Sequence, residues 1–124
     1  MEKMSVRPGR KVCEAMRGLV EEAQHEIEEH EAKGPILDLV IVAGMQRIEH
    51  YEIAAYGTNV ALAVALGEKE VAGLLAETLE EEKQTDIKLT EVTQKAIMPE
   101  ALADDEEADG EGKGGRAGGR RKAA

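Results

Sequence analysis

Hydrophobic side chains recur every three to four residues along three stretches of the chain. In the first stretch they share one face of a helix, while glutamates and other polar residues cover the remainder. Gly34 and Pro35 follow, and such a pair stops a helical pattern. The spacing predicts a short amphipathic helix from about Cys13 to Ala32, with an apolar face of Val12, Met16, Leu19, Val20, Ala23 and Ile27.

Two longer stretches carry a stripe at alternating intervals of four and three residues, the spacing of core positions in helical bundles. They predict a second helix from about Ile36 to Leu66 and a third from about Lys69 to Ile97, separated by Gly67 and ended by Met98-Pro99. The stripes are Ile41, Met45, Ile48, Glu52, Ala55, Asn59, Leu62, Leu66 and Val71, Leu75, Thr78, Glu82, Thr85, Leu89, Val92, Ala96. The sequence therefore predicts an all-α fold: a long antiparallel helical hairpin with a short preceding helix.

Composition agrees with packed helices and limits the size of their core. The 124 residues include no Trp, no Phe and only two tyrosines, so burial depends on Leu, Ile, Val, Met and Ala. The formal net charge is -10, and it is unevenly distributed. Seven acidic residues and no base lie between Glu100 and Glu111, and five bases and no acid follow between Lys113 and Lys122.

Such a charged, glycine-rich segment cannot bury enough apolar surface to fold. We therefore predict three parts: a flexible N-terminus (1–11), a helical domain (12–99) and a disordered tail (100–124). The basic end of the tail contains Arg116, Arg120, Arg121 and Lys122, but it has no aromatic residue to stack on bases. We expect the tail to be solubilising, and we expect no nucleic-acid partner.

The location of the protein follows from its lone cysteine and its apolar runs. Cys13 has no second cysteine for a disulfide or a shared zinc site, which fits a reducing compartment, and we expect it to be a small buried residue. The N-terminus lacks the apolar segment of a signal peptide. Asp38 and Glu49 interrupt the apolar runs before they reach the ~20 residues of a membrane span. We expect a soluble, cytoplasmic protein with no membrane partner.

Two carboxylates occupy the centres of the predicted stripes. Glu52 and Glu82 are the only charged members of their stripes, and both lie 15 residues from Gly67. Positions 49 and 86 average 67.5, so Glu49 and Asp86 face each other at the same level of a tight hairpin. This level is roughly 22 Å from the turn at about 1.5 Å per residue. The four side chains are predicted to form one acidic cluster.

Four like charges inside a bundle need a cation, and Arg47, Lys83 and Lys88 fall on other helix faces. Carboxylate oxygens from facing helices suit iron or manganese, with magnesium and calcium as alternatives. The predicted metal ligands are therefore Glu49, Glu52, Glu82 and Asp86. The competing interpretation is that Glu49 and Asp86 lie at the edge of the bundle and are simply hydrated, which leaves Glu52 and Glu82 unexplained.

The motifs "RIEHYEIAAYGT" and "ETLEEEKQTD" resemble the YciE/YciF-type ferritin-like family over about residues 12 to 97. The resemblance implies half of a ferritin-like four-helix bundle, of which the last two helices are present. It also implies a di-metal carboxylate site, with "EHYE" supplying Glu49 and Glu52 and "EEEKQTD" supplying Glu82 and Asp86. Relatives of this kind oxidise Fe(II) or reduce oxygen or peroxide, and the family looks like one of bacterial stress proteins.

The family has two earlier helices that contribute another Glu and a Glu-x-x-His, and the stretch before Val12 is too short for either. Glu22 and His25 have that spacing, but His25 points to solvent, and His50 points away from the Glu52 stripe. We expect both histidines to be surface residues. A second copy of the chain, or a partner that supplies the missing helices, would complete the site.

In a homodimer Glu52 and Glu82 would bridge or chelate the metal, with Glu49 and Asp86 as terminal ligands. Tyr56, one turn beyond Glu52, either orients a carboxylate or simply packs. The hypothesis is a stress-related Fe(II) or peroxide oxidoreductase, or a metal-binding protein. The alternative is a truncated, non-catalytic helical module that oligomerises or binds cations without chemistry.

Overall fold

The computed structural model describes residues 9–30 and 33–104. It contains three helices, α1 (Glu14–Glu29), α2 (Pro35–Ala65) and α3 (Lys69–Val92), and the described residues form no strand. Helices α2 and α3 are antiparallel: Gln46 contacts Asp86 and Thr90, whereas Glu49, further along α2, lies beside Glu82, which comes earlier on α3. The predicted all-α fold, a long hairpin with a short preceding helix, is confirmed.

The hairpin turn is a glycine C-cap. Gly67 has a φ of 77°, a left-handed conformation that costs glycine nothing. Its N–H donates to Val64 O (3.0 Å), and the Glu68 N–H donates to Ala63 O (2.9 Å). These two hydrogen bonds form a Schellman motif, which satisfies carbonyls at the end of α2. The turn therefore sets the register in which α3 returns along α2.

Helix α1 packs on α2 at a position without a side chain. Gly44 is buried, and a Cβ placed on it would lie 3.0 Å from the Cβ of Ala23. The Arg47 guanidinium forms an ion pair with Glu26 one turn further along both helices. Close backbone approach and this ion pair hold α1 in place, although α1 itself has no fully buried residue.

Cys13 differs from the prediction. It is exposed, and its Sγ lies 2.9 Å from the hydroxyl of Tyr51 on α2. The expectation of a buried cysteine was wrong because Cys13 immediately precedes the first residue of α1, outside the apolar face of that helix. The hydrogen bond with Tyr51 lowers the pKa of the thiol.

The third helix does not end at Met98-Pro99. A π-helical turn follows α3 (Thr93–Ile97), and residues 98–104 continue as helix, with Ile97 and Ala101 buried. Proline lacks an N–H and its ring clashes with a carbonyl of the preceding α-helical turn. In the π turn the N–H groups bond to carbonyls five residues back, as Met98 does to Thr93, and the helix continues through Pro99.

The domain boundary is corrected accordingly. Residues 100–104 belong to the helical domain, and the predicted end at residue 99 was wrong. The rest of the predicted tail (105–124) lies outside the described residues, as do residues 1–8 of the predicted flexible N-terminus. Residues 9–13 are non-helical and exposed.

The buried core is small. Its hydrophobic members are only 6–8 % exposed but mostly small: Val42, Ala63, Ala72, Ile97 and Ala101. Several members of the predicted α2 stripe are instead exposed, including Met45, Leu62 (55 %) and Leu66 (73 %). The described part of the chain therefore leaves an apolar face on α2 uncovered.

No helix among the described residues combines the length and apolar character needed to cross a membrane. The cytoplasmic location stays a prediction.

Candidate metal centre

Three carboxylates meet across the hairpin. Glu49 and Glu52 project from successive turns of α2, and Glu82 projects from α3 opposite them. One oxygen of each lies within 4.8 Å of the others, and all three side chains are half-buried. The structure therefore brings together three of the four predicted metal ligands.

Burial and mutual repulsion make these carboxylates difficult to ionise. The pKa of Glu49 is raised to about 7, chiefly by burial, then by a hydrogen bond with Glu82 and by the charges of Glu82, Glu52 and Asp86. The pKa of Glu52 is also raised, first by burial and then by the charge of Glu82. Without a cation, Glu49 therefore holds a proton near neutral pH for much of the time.

The Glu49 carboxylate has one oxygen without a partner. Its Oε2 atom is buried and makes no hydrogen bond among the described residues. A buried polar oxygen of this kind destabilises the fold unless a donor or a cation satisfies it. The oxygen lies in the same cluster as the Glu52 and Glu82 carboxylates.

Asp86 lies at the same level but outside the group of three. Its Oδ1 accepts a hydrogen bond from Gln46 Nε2 (2.9 Å) and lies 3.3 Å from His50 Nε2. Gln46 Nε2 also donates to Thr90 Oγ1 (3.0 Å). Asp86 is thus held by α2 side chains, although it is near enough for its charge to act on Glu49.

Gln46 and His50 were not among the predicted site residues. His50 is mostly exposed, as expected, yet it contacts Asp86. The hairpin register contained the signal: Gln46 and His50 are one turn apart on α2, and both lie at the level of Asp86. The periodic pattern did not indicate Gln46 and His50, because both lie beside the α2 stripe and neither carries a carboxylate.

Basic residues do not neutralise the cluster. Arg47 is paired with Glu26 on α1, and the contacts of the described residues give the cluster no lysine or arginine partner. His25 lies 3.6 Å from Glu29 on the exposed side of α1, away from the hairpin. Tyr56 is half-buried, and its hydroxyl makes no hydrogen bond within the described ranges.

The residues present fit a metal ion. Oxygen donors close together in a partly buried site are the ligands that hard cations prefer. A cation would satisfy the buried Glu49 oxygen and offset the repulsion among the three carboxylates. The site offers only carboxylate oxygens, with no histidine or cysteine atom in the group of three.

Comparisons with known proteins agree with this fold. Residues 1–102 match the family described as "Domain of unknown function (DUF892)". The chain is 55 % identical over 80 residues to Protein YciF of Escherichia coli K12, covering 64 % of this chain and 48 % of that protein.

Two solved structures are similar to this chain. The crystal structure of the E. coli stress protein YciF matches with a TM-score of 0.67 and 50 % identity, over 71 % of this chain and 55 % of that one. YcfI of Rhodopseudomonas palustris, whose description proposes a structural role, matches with a TM-score of 0.67 and 40 % identity, over 72 % and 56 %. The chain thus spans about half the length of these relatives. The resemblance inferred from the two motifs is confirmed.

Proposed function

The chain belongs to the DUF892 family, and on that premise we propose that its hairpin binds a metal ion through Glu49, Glu52 and Glu82. The observation that carries this proposal is the buried Oε2 of Glu49, which lies in a cluster of three carboxylates and has no hydrogen-bond partner in the part of the chain that the structure describes. Burying such a cluster costs free energy, and a bound cation offsets that cost.

We propose iron as the metal, with manganese as the alternative, in a di-metal site. Bound iron would supply one-electron exchange between its ferrous and ferric states, with oxygen or peroxide as the electron acceptor. The carboxylates would bind and orient the ion, and a proton held by Glu49 would leave on binding, because metal ligands must be deprotonated. The description of the relative YciF as a stress protein supports a role in handling Fe(II) or peroxide.

We propose that a second copy of the chain completes the bundle. The uncovered apolar side chains Met45, Leu62 and Leu66 belong to the same stripe as Glu52, so the cluster borders a surface suited to packing against another helix. A two-fold axis along this face would bring two acidic clusters together. A different partner that supplies the same helical surface is the competing possibility.

The proposal is tested by metal-dependent stability. Mn(II) or Fe(II) under anaerobic conditions should raise the melting temperature, since a ligand that binds only the folded protein stabilises it by about 2.7 kcal/mol at 100 Kd. Glu49→Gln should abolish this shift. Glu77→Gln, which removes an exposed carboxylate from α3, is the matched control and should keep it. An equal shift in both variants would show that the cluster is not the binding site.

A second candidate is a non-catalytic helical module. It is favoured by the structural role proposed for YcfI and by the apolar face of α2. In that case the chain would associate equally well with or without metal, and the triple variant Glu49→Gln, Glu52→Gln, Glu82→Gln would still associate. Sedimentation velocity at several protein concentrations, with and without Mn(II), distinguishes the two candidates.

A further inference from the structure

We infer that Gln46 is a positioning residue that holds the Asp86 carboxylate out of the metal's coordination sphere. The cluster then presents three carboxylates and keeps a coordination position open. This inference rests on the proposed metal-binding function and assigns Asp86 a role outside the set of direct ligands.

The Gln46 side chain bridges two successive turns of α3. Its Nε2 donates to Asp86 Oδ1 at 2.9 Å and to Thr90 Oγ1 at 3.0 Å, so both acceptors fix the position of the amide. His50 Nε2 lies 3.3 Å from the same Asp86 oxygen. Two α2 side chains, Gln46 and His50, therefore contact Asp86, and the Asp86 side chain is only 22 % exposed.

Asp86 would otherwise be well placed to become a fourth ligand. It lies one helical turn beyond Glu82, and residues four apart share a helix face. A fourth carboxylate would add one more negative charge and one or two more oxygens around the ion. Affinity rises with the number of charged ligands, while a site that performs chemistry needs a position for water or substrate.

Gln46 therefore acts through Asp86 and does not touch the metal. Removing the amide should release Asp86 toward the cluster, so that the metal binds more tightly and in a changed coordination. This gain must depend on Asp86. A merely structural role for Gln46 would instead lower stability and leave coordination as it was.

The test compares four proteins: the unaltered chain, Gln46→Leu, Asp86→Asn and the double variant. Leucine keeps the approximate shape of Gln46 without its hydrogen bonds, and asparagine keeps the shape of Asp86 without its charge. Mn(II) affinity is measured by calorimetry, the visible absorption spectrum of bound Co(II) reports coordination, and circular dichroism checks folding. Thr90→Val is the control, because it removes the other acceptor of the amide and leaves Asp86 in place.

We expect Gln46→Leu to bind Mn(II) about tenfold more tightly and to alter the Co(II) spectrum, the scale usual for changes around a metal's ligands. The double variant should return to the behaviour of the unaltered chain. Asp86→Asn alone and Thr90→Val should each change affinity by less than about tenfold, the lower end of that scale.

Two results overturn the inference while leaving the metal proposal intact. One is a tenfold or greater loss of Mn(II) affinity in Asp86→Asn, which would make Asp86 a direct ligand. This measurement stands even if Gln46→Leu does not fold. The other is an unchanged Co(II) spectrum in a folded Gln46→Leu protein.

Failure of the proposed function gives a different pattern. One such pattern is metal binding by Gln46→Leu but not by the unaltered chain or the double variant. It would support the restraint of Asp86 by Gln46 and would show that the proposal of metal binding by the unaltered chain is wrong. If none of the four proteins binds Mn(II) or Co(II), both proposals are wrong.

Discussion

A carboxylate oxygen of Glu49 on α2 lies within 4.8 Å of one of Glu82 on α3, while the buried Oε2 atom of Glu49 has no hydrogen-bond partner among the described residues. Two carboxylates this close repel each other, and the repulsion adds to the effect of burial in raising the pKa of Glu49 to about 7. When no cation neutralises the cluster, this raised pKa leaves Glu49 partly protonated near neutral pH.

Stability of the metal-free protein should depend on pH through Glu49. Its pKa in the folded protein is about 7, above the ordinary value of 4.5, so the folded state binds the proton more tightly than the unfolded state. Stability from this group therefore increases as the pH falls from about 8 toward about 5, and is lost as the pH rises through 7.

Melting temperatures of the unaltered protein and Glu49→Gln, measured from pH 5 to pH 8 with a chelator, check this prediction. Because other carboxylates titrate in both proteins, the quantity to compare is their difference. Glu49→Gln should gain relative to the unaltered protein as the pH rises. A constant difference over this range would contradict the raised pKa.

Glu52→Gln should stabilise the metal-free protein near neutral pH. Burial and the charge of Glu82 raise the pKa of Glu52, which means that its ionised form is disfavoured in the folded state. Glutamine removes the charge and keeps the shape. Chemical denaturation at pH 7.5 measures the effect, with Glu77→Gln as the control for loss of an exposed charge. Destabilisation by Glu52→Gln would point to a protein partner for this carboxylate.

Gly44→Leu should destabilise the domain by about 1–3 kcal/mol through overpacking. A Cβ at position 44 already lies 3.0 Å from the Ala23 Cβ, so a larger side chain must push α1 away from α2. Gly73→Ala is the control: it meets no atom within 4 Å and should stabilise α3 by up to ~1 kcal/mol. Denaturant unfolding monitored by circular dichroism gives both values. Equal stability of Gly44→Leu and the unaltered protein would show that α1 does not pack closely here.

Two shortened chains should distinguish the contribution of residues 100–104 to the melting temperature from that of the charged tail, residues 105–124. A chain that ends after Asp104 should keep its melting temperature, because residues 105–124 have no apolar face to bury. A chain that ends after Pro99 should melt several degrees lower, because it loses the buried Ala101. Identical melting of the two shortened chains would mean that residues 100–104 contribute nothing to packing.

Much of this architecture was predictable because hydrophobic periodicity and a glycine turn determine it. The stripe positions of Glu52 and Glu82, with the symmetry about Gly67, predict the cluster from the sequence alone. The position of Asp86 was not predictable in the same way. Its rotamer depends on the Gln46 amide, and a side-chain hydrogen bond leaves no periodic signal.

The remaining differences have local physical causes. A proline normally ends a helix, but here a π turn precedes Met98-Pro99 and the helix continues to residue 104, and the apolar spacing does not indicate such a turn. Burial of Cys13 is the expectation from the sequence, because free cysteine is among the most buried residue types. Cys13 instead precedes α1 and contacts Tyr51, since the helix begins one residue after it.

The most direct test is calorimetric titration of Mn(II) at pH 7.5 into the unaltered chain and into the double variant Glu49→Gln, Glu82→Gln. Glu77→Gln is the matched control. We expect saturable binding by the unaltered chain and the control, and a heat that varies with the ionisation enthalpy of the buffer because the protonated fraction of Glu49 releases its proton. The double variant should not bind. Absence of saturable binding by the unaltered chain, or equal binding by the double variant, would contradict a metal centre at Glu49, Glu52 and Glu82.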